Sequence, residues 1–335
     1  MTDSQRNELI AKYCREELSP TEEQRGRISV RYEELTGFLK GSCFQSGSYA
    51  RFTAVRPPKD LDVIWVCSDH SIETDPRPLL ENLSDSLVDA YSLKSNERIQ
   101  CQTQDHSISI MFVGDADGFS IDVVPAVVTN RLNEFGDPIY CVPEIQKLSH
   151  MQRKSFQGTA AWIESDPKGY VSQARDLDEL TGGRFRKAVK VVKAWRQKHK
   201  KELGDEFKLK SFHLEQLMTQ YMERNPYEPI LNTIQAVFGS LNTAIESPSI
   251  PDRANSGVFI DQYVADLTSK ERAKILILQR AAFESLVRLE RAKSESEVKE
   301  LLDSMTQASV TQQSSRIAAP AVVIARPAQP YASIE

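Results

Sequence analysis

Hydrophobic residues recur with a helical period through most of the first forty positions, where Ile28, Leu35, Phe38 and Leu39 share one face. Ser19-Pro20-Thr21-Glu22 precedes them with the makings of a helix start: a capping Ser, Pro at the first helical position and Glu three residues past the cap. Gly41 is placed to end that helix. The period then shortens. Residues 61–67 are apolar on both faces, 107–113 alternate and 119–124 are apolar again, so three strands are expected, the last two joined by a turn at 114–118. Residues 78–94 between them read as a helix, which makes the first 165 or so residues a small sheet flanked by helices. From about residue 180 only the helical period remains, over 184–201, 211–223, 230–245, 269–293 and 295–305. An all-helical second domain is expected there.

Length agrees with this division, because 335 residues exceed the roughly 100–200 of one domain. The expected units are 1–165, 166–305 and a flexible tail over 306–335, a stretch rich in Ala, Pro, Ser and Gln. With 40% hydrophobic and 27% charged residues the composition is that of an ordinary soluble protein. The 42 Lys and Arg against 47 Asp and Glu leave a net charge of −5, which argues against a surface built to grip long nucleic acid. Cys14, Cys43, Cys67, Cys101 and Cys141 are too widely spaced for a zinc pair or a disulfide framework, and read as reduced thiols. No secretory leader and no run near the roughly 18 apolar residues of a membrane span is apparent, so a cytoplasmic protein without membrane contact is expected.

The chemistry concentrates in residues 47–64. Asp60 and Asp62, two apart at the start of a strand, project to one side, where their charges repel unless a cation lies between them. Gly47-Ser48 follows a short apolar segment, and a glycine there lets backbone N–H groups and a hydroxyl approach a phosphate. Asp122 enters an otherwise apolar strand between Ile121 and Val123, a costly placement without a partner. If that strand neighbours Asp60 and Asp62, three carboxylates converge, the set that holds two Mg2+ ions for nucleotidyl transfer. Asp115 and Asp117, by contrast, read as turn residues.

Gly-Ser, then Ala-Arg-x-Thr-Ala-Val-Arg over 50–56, then the Asp-x-Asp strand and a third Asp, resembles the polymerase-β-like nucleotidyltransferase superfamily. Lys187 to Trp195 and Lys210-Ser211-Phe212-His213-Leu214-Glu215 further resemble the cGAS/DncV-like nucleotidyltransferases, over about residues 20–305. Residues 250–255 resemble a loop of that family, with Arg253 where its Pro is usual. The resemblance implies an α+β catalytic domain, a helical domain closing over the cleft, and catalytic metal ligands Asp60, Asp62 and Asp122. It implies nucleotide binding by Gly47, Ser48, Lys190, Lys193 and Ser211, with Phe212 stacked on a base.

Each of these residues has a plainer role open to it. Arg186, Lys190 and Lys193 form a basic stripe of the kind that usually faces solvent. Ser211 stands where a helix N-cap would, Phe212 suits a core, and His213 reads as packed rather than catalytic.

The activity implied is condensation of nucleoside triphosphates into a cyclic di- or trinucleotide second messenger. Two Mg2+ ions would serve it, with Mn2+ as a substitute. A separate effector protein activated by the product, operon-encoded regulatory proteins and a role in anti-phage signalling are implied with it. Stable DNA binding is not, since the zinc ribbon of cGAS has no counterpart. The competing readings are a template-independent enzyme acting on RNA ends, of the CCA-adding or poly(A)-polymerase kind, and an inactive nucleotide-binding module. Attachment of the tail to a target through the C-terminus is a further expectation, disfavoured by the closing Ile334-Glu335.

Overall fold

A computed structural model describes residues 1–68, 70–145 and 161–307 of the chain. The expected tail therefore lies outside the described residues, apart from its first two positions.

Helix α1 (Asp3–Tyr13) opens on a capping box between Thr2 and Gln5 and runs into a π-helical turn, Cys14–Leu18. Helix α2 (Glu22–Phe38) starts two residues later than its sequence signal suggests: Thr21 is the cap, exchanging hydrogen bonds with Gln24. Ser19 donates instead to the Cys14 carbonyl at 2.7 Å. The helix ends at Phe38 before Gly41, and the glycine serves the turn into the sheet at a φ of +106°.

The sheet comprises β1 (Ser42–Ser46), β2 (Asp60–Val66), β3 (Ile99–Thr103), β4 (Ile108–Phe112), β5 (Ser120–Leu132), β6 (Pro138–Glu144) and β7 (Ala161–Ser165). The main path runs β1-β2-β5-β4-β3, with β2 and β5 parallel and the other neighbours antiparallel. The long β5 carries on past this path to pair with β6, which pairs with β7. The four-residue helix α3 (Gly47–Ala50) links β1 towards β2, and α4 (Arg77–Lys94) covers one sheet face. On that face Leu61, Val63, Ile121 and Val123 pack against Ile28 and Leu35 of α2 and Leu80, Leu83, Leu87 and Tyr91 of α4. Side chains alternate along a strand, so Asp60, Asp62 and Asp122 are turned to the opposite face.

The turn at 114–118 forms as expected between β4 and β5. Arg31 of α2 bonds Asp115 at 2.6 Å and Glu97 at 2.6 Å, and Arg27 reaches Asp117 at 2.5 Å. These ion pairs tie α2 to the sheet.

The remaining helices are α5 (Pro167–Leu180), α6 (Phe185–Leu203), α7 (Ser211–Arg224), α8 (Ile230–Ala244), α9 (Ser269–Glu290) and α10 (Glu295–Thr306). Their core centres on α6, where Trp195 is packed edge-on by Phe207, Phe238 and His199. Ile10, Tyr13, Cys14 and Leu18 belong to this helical core and not to the sheet's. The N-terminal helix, expected with residues 1–165, thus packs its apolar side on the helical lobe. No described helix is long and apolar enough to cross a membrane.

Candidate active site

Strand register brings the carboxylates together. Ser46 of β1 pairs with Asp62 of β2, Asp62 with Asp122 of β5, and Asp122 with Ser109 of β4, one row of residues across four strands. Asp60 lies two residues back on the same face of β2. All three acids are half-buried. Lost hydration raises the pKa of each, and Asp62, with Asp60 and Asp122 as like-charged neighbours, is pushed up to about 7. Asp122 has the Ser109 hydroxyl beside it, yet its Oδ1 is buried with no hydrogen-bond partner.

An orphaned carboxylate oxygen beside two further acids, with oxygen the only donor type, suits a hard divalent cation such as Mg2+. Among the described residues no three His, Cys, Asp or Glu side chains are already closed into a metal-holding cluster. The trio is an open arrangement whose like charges a cation would draw together.

Gly47 approaches this row more closely than any side chain would allow. Its φ is +65°, and a Cβ at that position would sit 1.6 Å from Asp62 Oδ2. Behind it the α3 turn is locked by Arg51 N–H to the Gly47 carbonyl (3.2 Å) and Thr53 N–H to the Ser48 carbonyl (2.9 Å). Ser48, the next residue, is thereby held in that turn.

The helical lobe supplies the other wall, though not with every residue expected. Lys193 is buried, donates to Glu215 Oε2 at 2.9 Å and to Thr53 Oγ1 at 3.3 Å, and favours ionisation of Asp60 and Asp62 through its charge. Lys190 is turned away from the carboxylates: its ammonium donates to Ser19 Oγ at 2.8 Å, and burial lowers its pKa to about 8. Arg186 bonds the Arg51 carbonyl at 2.9 Å and Asp178 at 3.2 Å. The basic stripe is therefore a set of ties, not a solvated face. Ser211 is the first residue of α7; the cap is Lys210, with no side-chain capping bond, so the Ser211 hydroxyl is not spent on the helix end. Phe212 is half-buried, edge-on to Tyr170 at 5.0 Å and beneath the Arg51 guanidinium at 5.0 Å.

His213 is packed as expected, with Nδ1 2.8 Å from the Tyr263 hydroxyl. Burial pushes the thiols of Cys14 and Cys101 up to about 12 and 11, which leaves them unreactive. Arg253 donates to Asp166 at 3.1 Å and Asp137 at 2.6 Å and stacks on Phe135 at 4.1 Å. It joins the β5–β6 hairpin to the helical lobe, which a proline at that position could not do.

Sequence reasoning passed over Arg51, Thr53 and Glu215. Glu215 accepts from Arg51 Nε at 2.7 Å and from Thr53 Oγ1 at 3.0 Å, and is 1% exposed. A glutamate between Leu214 and Gln216 on a helix face otherwise destined for burial was the available signal.

A parallel strand pair carrying Asp-x-Asp and a third Asp, under a helical lobe and beside a Gly-Ser turn, is the arrangement that the sequence resemblance to polymerase-β-like nucleotidyltransferases implies. Residues 5–146 match the family model described as Second Messenger Oligonucleotide or Dinucleotide Synthetase domain. A "Cyclic AMP-AMP-AMP synthase" of Acinetobacter sp. is 27% identical over 230 residues, 64% of this chain and 57% of that protein. The chain thus spans little more than half of that relative's length. The fold matches E. coli MS115-1 CdnC, solved in complex with HORMA-deltaN, with a TM-score of 0.64 at 18% identity over 90% of this chain and 96% of that one. It also matches Vibrio cholerae DncV in its apo form, with a TM-score of 0.59 at 19% identity over 92% of this chain and 76% of that one. Residues 5–146 are thus similar to that synthetase domain, and the chain shares the fold of CdnC and DncV.

Proposed function

We propose that this chain condenses nucleoside triphosphates into a cyclic di- or trinucleotide second messenger, releasing pyrophosphate at each bond formed. The observation that carries the reading is the row Ser46, Asp62, Asp122 and Ser109 with Asp60 on the same face, against which the Gly47 backbone is pressed. The name of the Acinetobacter relative supports ATP as substrate and an all-adenine cyclic trinucleotide as product.

In the reaction a ribose hydroxyl attacks the α-phosphate of a second nucleotide, the bond to the β-phosphate oxygen breaks, and pyrophosphate departs. Asp60, Asp62 and Asp122 would hold two Mg2+ ions, or Mn2+ in their place, and these supply positive charge that acidifies the hydroxyl and stabilises the leaving group. The chain's own groups orient the substrate. The backbone at Gly47 and the Ser48 hydroxyl cradle the triphosphate from the sheet side. Ser211, at the start of a 14-residue helix, offers a hydroxyl and backbone N–H groups from the other side. Lys193 supplies charge from within that wall, and Phe212, steadied by Tyr170 and Arg51, offers a face for a base. Lys190 has no part in this reading. A second condensation or a ring closure follows once the intermediate is repositioned with its own triphosphate as donor.

A regulatory protein partner is proposed on the ground that CdnC was solved with HORMA-deltaN, and a separate effector would read the product in an anti-phage response. The test is pyrophosphate release from ATP and Mg2+ by the purified chain and by Asp60→Ala/Asp62→Ala. Release by the first and none by the second is expected; equal release by both would reject the carboxylate site.

A further inference from the structure

Glu215 is a buried carboxylate with more partners than any side chain of the proposed site. Its Oε1 accepts from Arg51 Nε at 2.7 Å and Thr53 Oγ1 at 3.0 Å, and its Oε2 from Lys193 Nζ at 2.9 Å and, more weakly, Arg51 Nη2 at 3.3 Å. Thr53 donates its one hydroxyl proton to Glu215 and accepts from Lys193 at 3.3 Å. The four residues are closed off from water, with exposures of 7% for Arg51, 0% for Thr53, 7% for Lys193 and 1% for Glu215. Two cations on one anion hold Glu215 ionised, its pKa lowered to about 2 against the opposing effect of burial.

What this knot connects is more informative than its strength. Through Arg51 and Thr53 it grips the end of the α3 turn, whose backbone bonds to Gly47 and Ser48 set the approach to Asp62. Through Lys193 it grips α6. Glu215 itself sits on α7, one turn past Ser211 and Phe212, and the Arg51 guanidinium that it holds lies over the Phe212 ring. Every segment assigned to nucleotide handling on either wall is thus fixed relative to a single carboxyl group.

We infer that Glu215 is a positioning residue: without touching substrate, it sets the register of the Gly47-Ser48 turn against the Ser211-Phe212 helix start, and so the alignment of the triphosphate with the carboxylate row. The inference rests on the site reading given above. Because a fixed distance across the cleft governs the chemical step more than the initial hold on nucleotide, its loss falls on kcat. A role in folding alone would lower the folded fraction and leave the kcat and KM of folded molecules unchanged.

Glu215→Asp keeps the charge and withdraws the carboxylate by one methylene, about 1.5 Å, and Thr53→Val removes one hydroxyl at nearly constant volume. For folded enzyme titrated by circular dichroism, the first is expected to lower kcat for pyrophosphate release about 100-fold with KM for ATP within about threefold. The second is expected to lower it about tenfold with a wild-type KM. Wild-type kcat and KM in Thr53→Val, and in Glu215→Asp where it folds, would overturn the inference while leaving the site reading intact, provided that wild type is active and Asp60→Ala/Asp62→Ala is not. A wild type that releases no pyrophosphate would remove the site reading and the inference together.

Discussion

Replacing Gly47 by alanine adds one carbon to the chain at the point where the backbone meets the carboxylate row. The added Cβ would lie 1.6 Å from Asp62 Oδ2 and 2.5 Å from its Cγ. Such contacts begin at about 3.0 Å in real structures, so the Asp62 oxygen must retreat by about 1.4 Å or the α3 turn must move by as much. The φ of +65° adds roughly 1–2 kcal/mol of backbone strain for any residue with a Cβ. A misplacement of about 1 Å in a catalytic group costs on the order of 100-fold in rate, so kcat for pyrophosphate release should fall by about that factor or more. Melting should drop by only a few degrees, because rotation of Asp62 relieves the overlap without opening the core. The informative control is Gly47→Ala/Asp62→Gly, in which the obstructing carboxylate is gone: its stability should recover towards wild type while activity stays absent. A folded Gly47→Ala enzyme within twofold of the wild-type rate would refute the close approach on which this reasoning depends.

Three further outcomes follow from charges that the fold has buried. In metal-free protein Asp62→Asn should be more stable than wild type at pH 8, by on the order of 3 kcal/mol, because a carboxylate whose pKa is raised to about 7 opposes folding above that pH. The advantage should shrink as pH falls from 7 towards 4 and on adding Mg2+, and parallel denaturation curves at every pH would contradict it. His213 works in the opposite sense: its pKa is lowered to about 4, so the unfolded chain takes up the proton first as pH drops below about 6.5. Wild type should therefore lose up to about 3 kcal/mol relative to His213→Gln between pH 7 and 4, and a constant difference in urea titrations would exclude this. Arg253→Ala leaves Asp166, which is 0% exposed, without its guanidinium partner and should cost about 3 kcal/mol in chemical denaturation; a change below 0.5 kcal/mol, the size of an ordinary surface effect, would show that the hairpin is held by other contacts.

The parts of the site legible in the sequence were those that depend on one element at a time. Alternation along a strand places Asp60 and Asp62 on one face, and a charged residue inside an apolar strand marks Asp122. Helical periodicity located α6 and α7 to within a few residues. What two elements do to each other was not legible. Glu215 and Arg51 are separated by 164 positions, and nothing local in either segment announces their bond. Lys190 and Lys193 lie three residues apart, about 60° around a helix. That angle turns one ammonium to Ser19 and the other to Thr53 and Glu215, which the stripe read as a unit could not distinguish. Short strands such as β1, β3 and β7, with mixed composition, owe their conformation to their sheet neighbours, and α1 owes its place to a core built some 200 residues later.

The central claim, that this fold makes a cyclic oligonucleotide, is tested most directly by incubating the purified chain with ATP, GTP, CTP, UTP and Mg2+ and no RNA, then treating with phosphatase and weighing what survives. A phosphatase-resistant product with the mass of a cyclic di- or trinucleotide, absent with Asp60→Ala/Asp62→Ala, is the result expected. Extension seen only when RNA is added, or products that phosphatase degrades completely, would contradict it.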